Sequence, residues 1–358
     1  MASVLAYCRA GYENDTANEL TTWLAEKGVY GYPMFRPGDA YVLFHQYDTT
    51  DNSAAEPALE VNKVIFARQL IHVIKHLSEL DREDRIGPIL DALKTATLPF
   101  NKAGDIVIEY PDTEEGKNLA KFCRKFLVPL RQTLRKHGLL SKQENHAKPR
   151  LHIFFTDFDN CHLGYSLPAE ASEFAMGICR LRFPSDAPSR STLKLEEALL
   201  SMLNDSQRQR VCRRSGRAVD LGACPGGWTY QLVQREMFVE AVDNGSIDET
   251  LMSTGQIEHF AADGFSYRPQ MGRVDLLVCD MIEKPDRVAD LMGDWLVRDW
   301  CDHAVFNLKL PMKKRFETVT QALDALHEKL RKLHDTFYIR ARHLYHDRDE
   351  VTVVVVRN

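Results

Sequence analysis

Four side chains of this sequence have the types that can carry proton chemistry, although they stand far apart along the chain. Asp280 and Lys309 each end an apolar run, Lys194 follows a serine-rich segment, and Glu350 precedes the last apolar run. An amine held beside carboxylates can bind a hydroxyl group or accept its proton, depending on its pKa. Two plainer interpretations stay open: Lys194 as a surface residue paired with Glu197 one helical turn away, and Glu350 as a charge that protects a strand edge.

A glycine-rich loop provides a second candidate site. Residues 220–229 read Asp-Leu-Gly-Ala-Cys-Pro-Gly-Gly-Trp-Thr and follow a short apolar run. Glycines at such a turn let the backbone approach a ligand closely. The spacing differs from the G-x-G-x-x-G of dinucleotide-binding proteins, which disfavours a dehydrogenase, and from the G-x-x-x-x-G-K-[ST] of phosphate-binding loops. An ordinary glycine-rich turn is the alternative.

Acidic residues follow successive apolar runs in this part of the sequence. They are Asp220, Asp243, Asp263 and Asp280. Each alone could be a helix cap or a turn residue. In an open α/β sheet, however, ligands bind at the carboxyl ends of the strands, where Asp243 could bind ribose hydroxyls and Asp263 could meet an adenine edge. Together these acids favour a cofactor that contains a nucleoside.

The elements that must position these residues follow a regular rhythm in the second half of the chain. Short apolar runs alternate with helix-length segments, which predicts a doubly wound α/β sheet of buried, mainly parallel strands. The predicted strands are 218–221, 238–242, 274–279, 303–309 and 351–356. The polar, proline-containing segment 184–188 is the predicted boundary before this domain.

The first half of the chain predicts small α+β units in which helices pack on one face of a sheet. Strands are predicted at 4–10, 40–45, 63–74, 105–110, 151–155 and 162–166, helices at 15–27, 85–94 and 116–137, and a turn at 48–57. The last of these helices has an apolar stripe that should pack, leaving basic side chains accessible to solvent. The stripe is Leu119, Phe122, Phe126, Leu130 and Leu134, and the basic residues are Arg124, Lys125, Arg131 and Arg135.

Charge is spread unevenly along the chain. The net charge is −5, yet residues 117–150 contain ten Lys and Arg against one acid, Glu144. A basic segment of this kind can neutralise RNA phosphates, although it can also be a solvated helix face. Lys313, Lys314 and Arg315 lie just past Lys309, where a substrate strand could pass.

Length and composition exclude several classes of protein. The 358 residues, 44% of them hydrophobic and 27% charged, are typical of a folded chain with two or three domains. No apolar run approaches the roughly 18 residues of a membrane-spanning helix, and residues 1–9 do not resemble a secretory signal, so we expect a cytoplasmic protein without a membrane partner. Eight scattered cysteines predict reduced thiols and no metal site, with Cys224 and Cys279 as buried structural thiols.

The glycine-rich loop, the segment Ser-Arg-Ser-Thr-Leu-Lys-Leu at 189–195, and the order Lys194, Asp280, Lys309, Glu350 resemble S-adenosylmethionine-dependent RNA ribose 2′-O-methyltransferases. Over essentially its whole length the chain is similar to the bacterial family that methylates a cytidine of 23S rRNA. The resemblance implies a Lys-Asp-Lys-Glu catalytic tetrad, a proton-accepting role for Lys309, and S-adenosylmethionine as cofactor without a metal. The residues it implies for cofactor binding are Ser191, Cys224, Pro225, Gly226, Gly227, Asp243, Asp263 and Asp280.

The resemblance also implies a domain order and a reaction. A ferredoxin-like domain would occupy 1–95, a THUMP-type RNA-binding domain 96–170, a linker 171–188, and a Rossmann-like catalytic domain 189–358. The reaction would be methyl transfer to the ribose 2′-hydroxyl of one cytidine in 23S rRNA, in the peptidyl-transferase region, before the large subunit is fully assembled. Two alternatives stay open: an RNA-binding ribosome assembly factor with a catalytically silent methyltransferase fold, and a 2′-O-methyltransferase of another RNA.

The protonation state of Lys309 decides how it would act. A proton acceptor must be neutral, whereas an unperturbed lysine has a pKa of about 10.4. Desolvation and the charge of Lys194 would lower the pKa of Lys309, while Asp280 and Glu350 would raise it, and the sequence does not decide between them. If the amine stays charged, Lys309 would orient the hydroxyl and stabilise negative charge, and a carboxylate or water would take the proton.

Overall fold

The computed structural model describes residues 3–47 and 57–358, so the turn predicted at 48–57 lies, apart from Pro57, outside the described residues. The chain divides into two compact units, Met1–Ile178 and Cys179–Asn358. Each unit contains its own seven-stranded sheet. Within the described ranges, no helix is long and apolar enough to span a membrane.

The first unit is a mixed sheet with helices packed against its strands. Its strands are β1 Ser3–Tyr7, β2 Gly31–Met34, β3 Tyr41–Gln46, β4 Gln69–Leu77, β5 Asp105–Glu109, β6 Arg150–Phe155 and β7 Cys161–Ser166, in the order β2-β3-β1-β4-β7-β6-β5. Its helices are α1 Glu13–Glu26, α2 Ile86–Thr95, α3 Glu114–Lys117 and α4 Ala120–Lys136. Among these seven strands, β5 and β6 pair in parallel and the other neighbours pair antiparallel. The sheet includes strands from both predicted N-terminal domains, whose boundaries stay predictions.

The long helix predicted at 116–137 is interrupted after its first turn. α3 ends at Lys117 and α4 begins at Ala120, from where it continues through Pro129. All five residues of the predicted apolar stripe pack in the core of this unit. The prediction for the basic residues is wrong in part, because Arg131 and Arg135 are half-buried. Arg131 contacts Asp105 at 3.2 Å, and Arg135 donates to a backbone carbonyl.

The second unit confirms the predicted doubly wound sheet. Its strands are β8 Arg217–Leu221, β9 Phe238–Val242, β10 Ile257–Phe260, β11 Val274–Cys279, β12 Cys301–Lys309, β13 Phe337–Arg342 and β14 Glu350–Arg357, in the order β10-β9-β8-β11-β12-β14-β13. Its helices are α5 Thr192–Met202, α6 Asp205–Val211, α7 Gly227–Val233, α8 Glu249–Met252, α9 Pro285–Val297 and α10 Arg315–Leu330. The strands from β8 to β12 pair in parallel, and β14 and β13 are antiparallel.

The order of these strands determines where a ligand can bind. β9 and β10 follow β8 on one side, and the chain then crosses over so that β11 pairs with the other side of β8. Crevices in open α/β sheets form at such a switch point, outside the carboxyl ends of the strands. α5 and α7 pack beside the sheet in contact with β14, β8 and β9, while α9 packs on β12 and α10 on α9.

Candidate active site

The four side chains singled out in the sequence meet at the carboxyl edge of the second sheet. Lys194 Nζ lies 3.1 Å from Asp280 Oδ2 and 2.5 Å from Glu350 Oε1. Lys309 Nζ lies 2.5 Å from Asp280 Oδ1 and also contacts Glu350 Oε2. Each lysine therefore contacts both acids. We call these four residues the catalytic cluster.

Strand register explains why residues so distant in sequence converge. Lys309 and Glu350 are direct partners in the antiparallel pair of β12 and β14. Asp280 follows the last residue of β11, the parallel neighbour of β12, and its N–H donates to the carbonyl of Leu221 at the end of β8. Lys194 lies in the first turn of α5, which packs against both α7 and β14. The cluster is thus formed by three neighbouring strand termini and one helix.

Both plainer interpretations of Lys194 and Glu350 are wrong. Glu197 does not pair with Lys194; it is buried and accepts the N–H groups of Tyr345 and His346 at 2.9 and 2.8 Å. Glu350 does not lie at a sheet edge, because β14 has a strand on each side. Only 6% of the Glu350 side chain and 15% of the Lys194 side chain are exposed. Charges with so little solvent must be stabilised by one another.

The charges of the cluster control one another's protonation. Burial opposes ionisation of Asp280, but the ammonium groups of Lys194 and Lys309 outweigh it and hold the pKa of Asp280 below its ordinary value. Burial also opposes the charge of Lys309, but Asp280 and Glu350 outweigh it and raise the pKa of Lys309 above that of an ordinary lysine. In the absence of ligands, Lys309 is therefore a cation at neutral pH.

A crevice of about 380 Å³ opens beside the cluster, at the switch point of the sheet. It is lined by Gly222, Cys224, Val242, Asp243, Asn244, Ala262, Asp263, Gly264, Asp280, Met281 and Ile282. Asp280 belongs both to this lining and to the catalytic cluster. A molecule in the crevice would therefore lie next to the lysines.

The crevice depends on glycines that let backbone segments approach each other. A Cβ at Gly222 would lie 2.7 Å from a side-chain carbon of Met281, and one at Gly264 would lie 2.8 Å from the Met281 sulfur. A Cβ at Gly227 would collide with Ser191 Oγ. Gly226 has a φ of +116°, a conformation that favours glycine, and the chain enters α7 there. The glycine-rich loop is thus more than an ordinary turn, because it forms one wall of a cavity.

Asp243 is held at the crevice by two backbone N–H groups. Its Oδ2 accepts the N–H of Cys224 at 3.0 Å, and its Oδ1 accepts the N–H of Gly245 at 2.8 Å. The half-buried carboxylate still has lone pairs available for hydroxyl groups. Asp263 is exposed at the rim, where Oδ1 accepts the N–H of Phe265, so it is a turn residue as well as part of the lining.

The predicted cofactor-binding residues divide into two groups. Cys224, Asp243, Asp263 and Asp280 line the crevice. Ser191, Pro225, Gly226 and Gly227 do not belong to its lining; Gly226 and Gly227 are buried, and Gly227 packs against Ser191. Pro225, Gly226 and Gly227 belong to the loop that places Cys224 in the crevice wall, and Ser191 packs against that loop.

Two expectations about polar groups near the crevice need correction. Asp220 does not line it but is buried behind it, accepting the hydroxyl of Thr229 at 2.7 Å, and burial raises the pKa of Asp220 to about 7. Cys279 is the buried thiol that was expected, whereas Cys224 is exposed in the crevice wall. No group of metal-ligating side chains is found in the part of the chain that the structure describes.

Asn307 is the polar residue of the site that sequence analysis overlooked. It is fully buried, and its amide Nδ2 donates to Asp280 Oδ1 at 2.9 Å. Its position on β12, two residues before Lys309, is the only sequence signal for it, because alternate residues of a strand share one face. An asparagine on that face could have been included among the candidates.

Comparison with known proteins identifies the family. Residues 1–71 match the model of the RlmM ferredoxin-like domain, 84–167 that of ribosomal RNA large subunit methyltransferase M, N-terminal, and 187–337 that of FtsJ-like methyltransferase. A ribosomal RNA large subunit methyltransferase M from Alteromonas mediterranea is 60% identical over 355 residues, which cover 99% of this chain and 97% of that protein. The chain belongs to the ribosomal RNA large subunit methyltransferase M family.

A second family member, from Erwinia tasmaniensis, is 50% identical over 357 residues, covering 100% of this chain and 97% of that protein. Membership in the ribosomal RNA large subunit methyltransferase M family confirms the resemblance stated from sequence. It also confirms the enzyme class, a methyltransferase, and the Rossmann-like catalytic domain after a ferredoxin-like one. The crevice lining and the cluster residues Lys194, Asp280 and Lys309 lie within the FtsJ-like segment, whereas Glu350 lies beyond its end at residue 337.

Proposed function

We propose that this chain transfers a methyl group from S-adenosylmethionine to the 2′-hydroxyl of one cytidine in 23S rRNA. We further propose that the cytidine lies in the peptidyl-transferase region and that the protein acts in the cytoplasm before the large subunit is fully assembled. The observation that carries the proposal is the buried catalytic cluster of Lys194, Asp280, Lys309 and Glu350 beside a crevice at the sheet's switch point.

The crevice fits a cofactor composed of a nucleoside and an amino acid. Asp243, oriented by two backbone N–H groups, suits the two hydroxyls of a ribose, and Asp263 at the rim suits a purine edge. The glycines at 222 and 264 keep the walls close to Met281. S-Adenosylmethionine supplies an electrophilic methyl group on a positively charged sulfur. Asp280 lies where the crevice meets the lysines, and its negative charge complements that sulfur.

The cluster can perform the two tasks that ribose methylation needs. Rigid binding aligns the acceptor oxygen with the donor, and orientation of this kind can supply roughly 7–11 kcal/mol of a barrier. Lys309, with 23% of its side chain exposed, is the more accessible lysine and is assigned to the acceptor hydroxyl. Lys194, Asp280 and Glu350 fix its position, and Lys194 adds the neighbouring positive charge that favours a neutral amine.

The raised pKa of Lys309 leads to a prediction about pH. Because the carboxylates raise the pKa of Lys309, only a small fraction of the amine is neutral at pH 7. As long as the pH is below that pKa, the neutral fraction increases tenfold with each unit by which the pH rises. If Lys309 accepts the proton, single-turnover transfer at saturating cofactor and RNA should rise with pH between about 6 and about 9. Burial raises the pKa of Asp220 to about 7, so this residue also titrates in the same pH range. The pH profile is therefore measured for Asp220→Asn as well, because asparagine does not titrate.

A flat profile over this pH range would contradict proton acceptance by Lys309. It would favour the other role, in which the charged amine orients the hydroxyl and a carboxylate or water takes the proton. Lys309→Arg gives an independent check, since arginine stays charged at every accessible pH. This variant should be inactive if the amine must become neutral, and partly active if only its charge matters.

The basic segment in the first unit is proposed to hold rRNA phosphates. Lys121 and Lys125 are exposed on α4 at a spacing that places them on one helix face. The double variant Lys121→Gln/Lys125→Gln should weaken RNA binding, and the slope of log affinity against log salt should fall by about 1.4–1.8. Binding is measured by fluorescence anisotropy over a salt series. The control is the double variant Lys63→Gln/Lys94→Gln, which changes two exposed lysines outside α4. If both double variants lose RNA affinity equally, α4 has no specific role in RNA binding.

Methyl transfer from labelled S-adenosylmethionine distinguishes the proposal from its alternatives. The protein is incubated with protein-free 23S rRNA, 16S rRNA or tRNA, and label in each RNA is counted. We expect label in 23S rRNA alone. Label only in another RNA would favour a 2′-O-methyltransferase with a different substrate. RNA binding without any label would favour a silent assembly factor, an outcome that the intact catalytic cluster disfavours.

A further inference from the structure

A chain of buried hydrogen bonds leads away from the catalytic cluster. Asn307 Nδ2 donates to Asp280 Oδ1, and Thr352 Oγ1 lies 2.7 Å from Asn307 Oδ1. The same Thr352 oxygen lies 3.2 and 3.0 Å from Oδ1 and Oδ2 of Asp347. Asn307, Thr352 and Asp347 have no measurable exposure. Solvent therefore has no access to these three side chains.

The direction of each hydrogen bond follows from the first one. Asp280 is ionised beside two ammonium groups and can only accept, so the NH₂ of Asn307 must face it and the carbonyl oxygen must face Thr352. That carbonyl oxygen can also only accept, so it receives the single hydroxyl proton of Thr352. Thr352 then has only lone pairs to offer Asp347, and the Asp347 carboxyl has to be the donor.

We infer that Asp347 is a neutral carboxylic acid at neutral pH and that its proton, through Thr352 and Asn307, positions the Asp280 carboxylate. The positioning role rests on the proposed function of the catalytic cluster. Asn307 and Lys309 share Asp280 Oδ1, which leaves Oδ2 to Lys194. These hydrogen bonds therefore fix the rotation of the Asp280 carboxylate, so that Oδ1 faces Lys309 and Oδ2 faces Lys194. Asp347, Thr352 and Asn307 are positioning residues, since none of them reaches the crevice lining.

The surroundings of Asp347 favour the neutral form. Burial raises the pKa of Asp347 well above its ordinary value, and the negative charges of Glu350 and Glu197 raise it further. The N–H of Leu344, which donates to Asp347 Oδ2 at 3.0 Å, and the charge of Lys194 act in the opposite direction. The hydrogen-bond directions and the electrostatics therefore agree.

Variants of Thr352 and Asp347 test the chain. Thr352→Val keeps the shape but can neither donate nor accept, and we expect single-turnover transfer to fall roughly tenfold, the equivalent of one neutral hydrogen bond. Thr352→Ser should restore the rate to within about threefold of the parent protein. In Asp347→Asn, an amide N–H replaces the acid O–H toward Thr352, so its rate should also stay within about threefold. A parental rate in Thr352→Val, or an equal loss in Asp347→Asn, would overturn the inference.

Infrared spectroscopy tests the protonation of Asp347 without relying on activity. The difference spectrum between the parent protein and Asp347→Asn at neutral pH should contain the carbonyl stretch of a protonated carboxylic acid. Asp220, whose pKa is about 7, contributes to both proteins and cancels. A difference spectrum with carboxylate bands in place of the acid band would overturn the inference. Failure of the proposed function is a separate result, because it would appear as absent transfer in the parent protein.

Discussion

Replacing Lys309 with alanine is expected to abolish methyl transfer while cofactor affinity stays nearly intact. The amine contacts Asp280 and Glu350 and is assigned to the acceptor hydroxyl, but Lys309 does not line the crevice. Loss of a group that acts on the reacting proton typically costs 10²–10⁴-fold in rate. Single-turnover transfer with labelled S-adenosylmethionine gives the rate, and titration calorimetry gives the cofactor affinity.

The control for Lys309→Ala is the same change at an exposed lysine of the second unit, Lys332→Ala. It removes one positive charge outside the catalytic cluster and should leave the rate unchanged. Turnover in Lys309→Ala above about a tenth of the parental rate would contradict a role in the chemical step. Equal loss of rate and cofactor affinity would instead indicate that the cluster has collapsed, because Asp280 belongs to both the cluster and the crevice.

Replacing Asp243 with alanine should weaken cofactor binding by about a hundredfold or more. The substitution removes the acceptor of the Cys224 and Gly245 N–H groups and the carboxylate proposed to bind two ribose hydroxyls. Hydrogen bonds to a charged group contribute about 1.5–3 kcal/mol each, and every 1.4 kcal/mol is tenfold in affinity. Calorimetric titration with S-adenosylmethionine measures the effect.

Glu249→Gln is the control for Asp243→Ala, since Glu249 is an exposed acid on nearby α8 and is not among the residues that line the crevice. It should bind the cofactor as the parent protein does. A cofactor affinity within about threefold of the parent in Asp243→Ala would remove Asp243 from the proposed binding site. Transfer at saturating cofactor should recover in this variant, because the catalytic cluster is left in place.

The strands of the second sheet could be predicted from sequence where they are buried on both faces. β12 and β14 are buried along most of their length and contain the apolar runs 304–306 and 353–356, and both were expected. β13 was missed, and β10 was expected only as a segment before Asp263 without bounds, because both strands flank the sheet and carry polar side chains such as Glu258 and Arg340. β2 in the first unit was missed for a similar reason, since it is a four-residue outer strand that contains Pro33.

The candidate site could be predicted in outline because parallel strands place their carboxyl ends at one edge. That rule alone leads to Asp243, Asp280 and Lys309. It does not reveal that Lys309 and Glu350 are register partners, nor that Asn307 and Thr352 connect Asp280 to Asp347. Register depends on how β14 returns beside β12 in the folded sheet. The direction of the pKa shift of Lys309 could not be predicted from sequence either, because it depends on the distances from Lys309 to Asp280 and Glu350.

The identity of the methylated nucleoside shows whether Lys309 acts on a ribose hydroxyl. 23S rRNA labelled by the protein from S-adenosylmethionine is digested to nucleosides, which are separated and identified by mass spectrometry. We expect all label in 2′-O-methylcytidine and no label when Lys309→Ala replaces the parent protein. Label in a base-methylated nucleoside with a free 2′-hydroxyl would contradict it, because the amine of Lys309 would then not face a ribose oxygen.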